Sequence, residues 1–371
     1  MAAFKSENAQ RADAVSAGRL GSALRSASGR ANLLLDALIR KPDSKPAEKP
    51  SFRPVREGLV TAKGVPLPAG AKTRTIETAD GIRLRGAFWR PEGAARGTVC
   101  LFQGRAEFVE KYGEVVEDLL KRGFAVATFD WRGQGGSERL TKNPLKGHVS
   151  DFGDYRADAE AMMRQLAFLS CPPPFFALSH SASAPIVVAL AARQPQWFER
   201  IVLVAPMIGL PLDRVEFFAR GLATGLGSLG LASAYIPGGT NRVMAMRPFE
   251  KNRVTSDAIR YGQAQALIRA EPGLALGSPT IGWVHSAFRA MTATALPGVP
   301  ETFRVPTLAL SAALDRIVDP RASDRFAARI RGGGHLLIRG SQHEIMMERD
   351  VVRDQFWAAF DAFVPGSKGL A

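Results

Sequence analysis

The stretch Pro174-Phe-Phe-Ala-Leu-Ser-His-Ser-Ala-Ser-Ala-Pro-Ile-Val-Val-Ala-Leu-Ala-Ala192 reads as a buried strand that passes through one tight turn into a helix. Phe175, Phe176, Ala177 and Leu178 form an apolar run of strand length, and Pro185 stands at a first-turn position that a helix tolerates. The helix after it is apolar on every side, as expected of one buried between a sheet and its neighbours. Ser181 sits at the bend.

The residues two before and two after Ser181 are Ser179 and Ser183. This is the spacing of the nucleophile elbow, G-x-S-x-G, with serine in place of both glycines. The elbow needs small side chains where strand and helix nearly touch, so that a strained turn can expose the central hydroxyl. An ordinary strand-to-helix turn whose serine caps the helix would look similar, so the remaining chain has to decide.

Working outward, Thr73 to Arg90 alternates on either side of Asp80-Gly81, a hairpin signal. Gly97-Thr-Val-Cys-Leu-Phe102 and Phe124-Ala-Val-Ala-Thr-Phe129 are continuous apolar strands, separated by a helical pattern with Val115, Val116, Leu119 and Leu120 on one face. Arg200 to Ala205 is a sixth strand; Pro306 to Ser311 and Gly334 to Arg339 follow later. Strand and helix in alternation predict an α/β protein whose mostly parallel sheet is covered on both faces. From Met207 to about Arg304 no strand is evident, which predicts a helical insertion over the carboxyl edge of the sheet, where such sheets bind ligands. A last helix with Val352, Phe356, Ala359, Phe360 and Phe363 on one stripe should pack back on the sheet.

The chain has 371 residues, enough for a large domain with an insertion, and its 46% hydrophobic and 23% charged content is ordinary for a globular protein. The formal charge of +14 points to an anionic neighbour. Basic residues are dispersed and no zinc-finger or RNA-binding signature occurs, so transient contact with a membrane surface is the expectation and nucleic acid is set aside. Cys100 and Cys171 make no disulfide framework, which suggests a reducing, cytoplasmic setting, peripheral at the inner membrane surface. Neither cysteine has metal-ligand spacing with the five histidines, and no metal or cofactor is expected. No apolar segment is long enough to span a bilayer, and the start lacks the compact apolar core of a secretory signal. Residues 1–56 read as a flexible basic extension, with a short amphipathic helix at Ala31 to Ile39 and a Pro- and Lys-rich linker from Lys41 to Pro54; a membrane-surface anchor and an organelle transit peptide are the competing readings. The remaining expected boundaries are 57–206 and 305–371 for the two parts of the core, and 207–304 for the insertion.

The run Gln103-Gly-Arg-Ala-Glu-Phe108, then Tyr112, then Asp130-Trp-Arg-Gly-Gln-Gly-Gly-Ser137 resembles the bacterial lysophospholipase and monoacylglycerol lipase branch of the α/β-hydrolase fold. The likeness extends from about Thr73 to Val364 and includes Thr255-Ser-Asp257 and Pro279-Thr-Ile-Gly-Trp283. That fold supplies its catalytic residues in the order Ser, acid, His. With Ser181 first, His343 after the last strand is in place for the base. His180 should point away from the hydroxyl, His148 lies in a loop, His285 in the insertion, and His335 begins a strand. The loop after the preceding strand offers Asp315 and Asp319. The family pattern of an aspartate followed by a short apolar step selects Asp315, while Asp319 beside Pro320 suits a helix cap.

An acyl-transfer site also needs N–H donors for the oxyanion. The residue after the nucleophile supplies one, here Ala182, and the resemblance implies the Arg105 backbone as the other. The sequence departs from the common His-Gly opening of that loop with Gln103-Gly104, and Glu107 is expected to tie the loop down. The resemblance implies an ester of a single fatty acyl chain, a lysophospholipid or a monoacylglycerol, cleaved by a serine hydrolase; the alternatives are a hydrolase of the same fold acting on another ester, a lactone or a peptide, and a non-catalytic binding protein, for which Ser179 and Ser183 in place of glycine are the one hint. The uncharged run from Gly221 to Asn241, preceded by Phe217 and Phe218, fits a lipid-facing lid or a buried helix of the insertion equally. Arg105, Arg316, Lys251 and Arg253 are candidate partners for a phosphate headgroup.

Overall fold

A computed structural model describes residues 54–211 and 231–366. The expected helix at 31–39, its linker up to Arg53, Phe217, Phe218 and the first half of the uncharged run lie outside those residues. The apolar runs become an eight-stranded sheet in the order β1-β2-β4-β3-β5-β6-β7-β8. The strands are β1 (Lys72–Glu77), β2 (Arg83–Trp89), β3 (Thr98–Phe102), β4 (Ala125–Phe129), β5 (Phe175–His180), β6 (Arg200–Val204), β7 (Thr307–Ala312) and β8 (Gly333–Ile338). β1 and β2 form the hairpin predicted around Asp80-Gly81, and β2 runs antiparallel to β4; every pair from β4 to β8 is parallel. The architecture is the predicted one, an α/β-hydrolase sheet flanked by helices.

Burial explains the composition of each strand. Every residue of β3, β4 and β7 is buried, because a parallel strand inside the sheet has helices on both faces. β8 has one neighbour and is half exposed, leaving Leu336 and Leu337 in solvent; the apolar run there marks an edge strand. The helices that matter for the site are α1 (Gly113–Lys121), α2 (Phe152–Met162) and α3 (Ala184–Arg193). α3 is buried from Ala184 to Ala191, which accounts for its lack of a polar face.

Between β6 and β7, the described residues contain helices α4 (Ala258–Ala270) and α5 (Ile281–Ala295) and no strand of the sheet. α5 is built into the body: Trp283, Ala287, Phe288, Ala290 and Met291 belong to the same apolar cluster as the sheet. The chain then continues through α6 (Pro320–Ala327) and ends on α7 (Asp350–Phe363), which buries Val352, Phe356, Trp357 and Phe360. Among the described residues no helix is long and apolar enough to cross a membrane.

Beneath the loop that follows β4, Arg85 of β2 is 2% exposed and bonds two carboxylates, Glu110 at 2.7 Å and Asp130 at 2.6 Å. Glu110 also accepts the Val60 N–H, and Asp130 accepts those of Val109 and Gly136. Removing the cation would strand two buried carboxylates, and breaking a buried pair costs about 3–5 kcal/mol. Arg85→Met is therefore expected to lower the unfolding free energy by about that amount, measured by urea denaturation; a change below about 1 kcal/mol would mean that the network behaves like a surface pair.

Candidate active site

The turn between β5 and α3 carries Ser181 at φ +55°, a left-handed conformation uncommon for a residue with a side chain. The flanking serines do more than leave space. Ser183 Oγ lies 2.9 Å from the Phe102 carbonyl and 2.8 Å from that of His180, and it donates its proton there. It then accepts from Ser179 Oγ at 2.7 Å. Both hydroxyls are buried and bonded, so serine fills the glycine positions of the elbow by linking the turn to the end of β3. Ser181 does not cap α3: its Oγ faces His343, while its carbonyl accepts the Met207 N–H at 3.0 Å.

His343 follows β8 on the same edge of the sheet. Its Nε2 is 2.8 Å from Ser181 Oγ and its Nδ1 2.8 Å from Asp315 Oδ2. A carboxylate can only accept, so Nδ1 carries the proton and Nε2 is free to take one from the serine. Burial by itself would raise the Asp315 carboxyl; the His343 ring and the Ile317 and Val318 N–H groups outweigh that and hold it below the usual carboxylate range. Three residues separated by up to 162 positions thus meet in one relay.

The other candidates have different duties. Asp319 caps α6 by accepting the Arg321 N–H. His148 bonds Thr280 Oγ1, and burial, then Lys146, pull its ring down to about 4. His335 bonds Ser311 Oγ at 3.0 Å, and His285 lies on α5. Cys100 and Cys171 are free and buried. Among the described residues no group of His, Cys, Asp and Glu is arranged to hold a metal.

The loop after β3 brings Arg105 to the same place. Gln103, Gly104 and Arg105 line a small cavity with Trp131, Gln134, Tyr155, Ala182, Ser183, Ile186 and Trp283. The Arg105 N–H has no hydrogen-bond partner among the described residues, whereas its neighbours do. Gly104 N–H donates to Glu107 and Ala106 N–H to Gln134 Oε1, while Trp131 Nε1 donates to the Gln103 carbonyl at 2.8 Å. Gly104 has to be glycine, since a Cβ would stand 2.7 Å from Glu107 Oε2 and 3.0 Å from His180 Nδ1. The Trp-Arg-Gly-Gln run therefore clamps the Arg105 loop on both sides.

Behind the relay lies a polar cluster that sequence reasoning did not assemble. Glu107 accepts from Gly104 N–H, Lys111 Nζ, Tyr112 OH and His180 Nδ1. His180 Nε2 is 3.3 Å from the backbone carbonyl of His343. Both its partners only accept, so both ring nitrogens must carry protons. Burial opposes that charge, but Glu107 overcomes it and raises His180 above its ordinary value; Glu107 is itself held well below the usual range by Lys111 and His180, against burial. Lys111 also reaches Glu344, the residue after His343. The sequence offered Glu107 as a tie for its own loop, but nothing in periodicity joined it to His180.

Strand order and the flanking helices are those of an α/β-hydrolase. The family model described as serine aminopeptidase, S33 (Hydrolase_4) matches residues 93–350. Lysophospholipase L2 of Escherichia coli (strain K12) is 33% identical over 290 residues, covering 74% of this chain and 82% of that protein. Probable lysophospholipase L2 of Haemophilus influenzae is 30% identical over 267 residues, 71% and 82% of the two chains. A soluble variant of monoglyceride lipase from Saccharomyces cerevisiae, solved with a substrate analog, superposes with a TM-score of 0.63 at 19% identity, over 82% of this chain and 97% of that one, a likeness of fold. The chain belongs to this α/β-hydrolase family and is a carboxylic ester hydrolase.

The His180 charge has a consequence for stability. Its ring, with an ordinary value of 6.5, binds its proton more tightly folded than unfolded. The stabilisation is complete below that ordinary value and fades as pH rises through the raised one. Unfolding of wild type and His180→Asn compared at pH 6 and pH 9 should show the wild-type advantage shrinking at the higher pH; an advantage that grows would contradict a charged ring.

Proposed function

We propose that the protein is a serine hydrolase that cleaves the carboxylic ester of a single-acyl-chain lipid, a lysophospholipid or monoacylglycerol, through an acyl-enzyme. Ser181 is the nucleophile, His343 the general base and acid, and Asp315 the group that orients the imidazole. The observation carrying this reading is the Ser181–His343–Asp315 chain of two 2.8 Å contacts ending on a strained serine. His343 Nε2 takes the hydroxyl proton as Oγ bonds the ester carbon, and returns it to the alkoxide as the C–O bond breaks. Water then repeats the sequence on the acyl-serine and releases the fatty acid. The developing oxyanion meets the backbone N–H groups of Arg105 and Ala182; the unpartnered Arg105 N–H supports that role, since a preorganised donor is worth most when nothing else occupies it.

The lipid substrate is drawn from the names of the relatives, lysophospholipases and a monoglyceride lipase. An aminopeptidase, the activity in the family model's description, needs an anion for the substrate's terminal ammonium. Among the described residues the cavity beside Ala182 is lined by an arginine and no carboxylate, which favours an ester. In this reading residues 207–304 form the cap between the two parts of the core, 57–206 and 305–371, residues 1–56 are an extension, and the basic surface draws the enzyme to anionic membrane from the cytoplasmic side.

A fluorophosphonate probe is expected to label the wild type and to lose its target in Ser181→Ala. Asp315→Asn should cut kcat by about 10⁴ with little change in fold, as expected when the imidazole adopts the wrong tautomer. Hydrolysis of acyl esters of increasing chain length should rise toward long single chains; a preference for acetyl esters would reject the lipid substrate and keep the relay.

A further inference from the structure

Of the four basic residues that the sequence offered to a phosphate, Arg316, Lys251 and Arg253 are exposed. Arg105 alone lines the cavity beside Ala182. Its guanidinium lies 5.3 Å from the ring centre of Trp283, and Nη2 donates to the Gly277 carbonyl at 2.7 Å. Gly147 leaves the room it needs, since a Cβ there would stand 2.3 Å from Nη2. No carboxylate among the described residues pairs with it, in contrast to Arg85 and Arg132, each of which bonds two acids. Nε is buried without any partner among the described residues. Burial pulls the Arg105 guanidinium down to about 10, which still leaves it charged at neutral pH. A desolvated cation with donors to spare is costly unless an anion arrives to meet it.

We propose that the Arg105 side chain is a phosphate subsite, which takes the phosphodiester of a lysophospholipid while the backbone N–H of the same residue meets the ester carbonyl. The assignment rests on the ester-hydrolase reading of Ser181. A planar fork suits phosphate oxygens, and Trp283 stacked near the guanidinium holds its orientation. A monoacylglycerol puts an uncharged hydroxyl at that end and leaves the cation unmet.

The test compares kcat/KM for a lysophosphatidylcholine and a monoacylglycerol with the same acyl chain. The wild type should favour the phosphorylated ester. Arg105→Gln should lower the ratio of the two values by about ten- to a hundredfold, the loss of a hydrogen bond to a charged group. Arg105→Lys, which keeps the charge without the fork, should lose less. If both substrates fall by one factor, or the ratio holds, the side chain merely packs the loop and the subsite is rejected. Activity on monoacylglycerol without activity on lysophospholipid also rejects it, and leaves the hydrolase reading intact. Absence of fluorophosphonate labelling at Ser181 would bring down both. Glycerophosphocholine should inhibit monoacylglycerol hydrolysis more strongly than inorganic phosphate does; the reverse order would reassign the site to a free anion and overturn the lipid assignment.

Discussion

The carboxylate of Glu107 is the point at which the separately folded parts of the site are joined. Four donors converge on it, from the loop after β3, from the turn before α1 and from the residue before Ser181. Through His180 the same cluster reaches the carbonyl of His343, and through Lys111 it reaches Glu344. The loop carrying the Arg105 N–H, the turn carrying Ser181 and the segment carrying His343 are thereby referred to one buried anion. Burying that anion alone would cost several kcal/mol, and two cations with full hydrogen bonding are what make it tolerable. The same low dielectric that makes an unpaired member expensive makes the satisfied cluster stiff.

A stiff mount matters because the turn it supports is strained. Ser181 holds φ at +55°, and Ala106 and Ala205, at +62° and +42°, sit in the two loops beside it. Non-glycine residues in that region cost energy that the surroundings must supply. Here the surroundings are visible: Ser183 bonded to the end of β3, Met207 N–H on the Ser181 carbonyl, and Gln134 on the Ala106 N–H. In an elbow with glycines the tight approach of strand to helix is met by absence of side chain. In this chain it is met by two hydroxyls in series, Ser179 donating to Ser183 and Ser183 to the Phe102 and His180 carbonyls, which adds bonds across the approach.

The sequence revealed most where patterns are local. Continuous apolar runs at Thr98–Phe102 and Ala125–Phe129 announce buried parallel strands, while the order of Ser181, Asp315 and His343, and the choice of Asp315 over Asp319, come from the resemblance to the fold and family. Edge position was not legible, since Leu336 and Leu337 look as apolar as any core strand and only the strand order exposes them. The ring of His180 contacts Glu107 and the His343 carbonyl, partners that the sequence does not name. Glu107 is 73 positions away and the His343 carbonyl 163, and polar contacts over such separations leave no periodic trace. Arg105 was singled out for its main chain by resemblance, while the isolation of its side chain emerged only once the surrounding residues were in place.

The departure from His-Gly at Gln103-Gly104 becomes intelligible in these terms. The Gln103 side chain places Nε2 3.3 Å from Thr128 Oγ1, and the Gln103 backbone carbonyl takes the Trp131 indole N–H. The loop's path is set by those contacts and by Gly104's approach to Glu107, none of which requires an imidazole at position 103. What the proposed chemistry needs from this loop is a backbone donor at Arg105, and a main-chain group is supplied by any side chain that leaves the path unchanged. Under the proposed chemistry the side chain of Arg105 is free of the duty given to its own N–H, so one position could serve the ester carbonyl through its backbone and a different part of the substrate through its guanidinium.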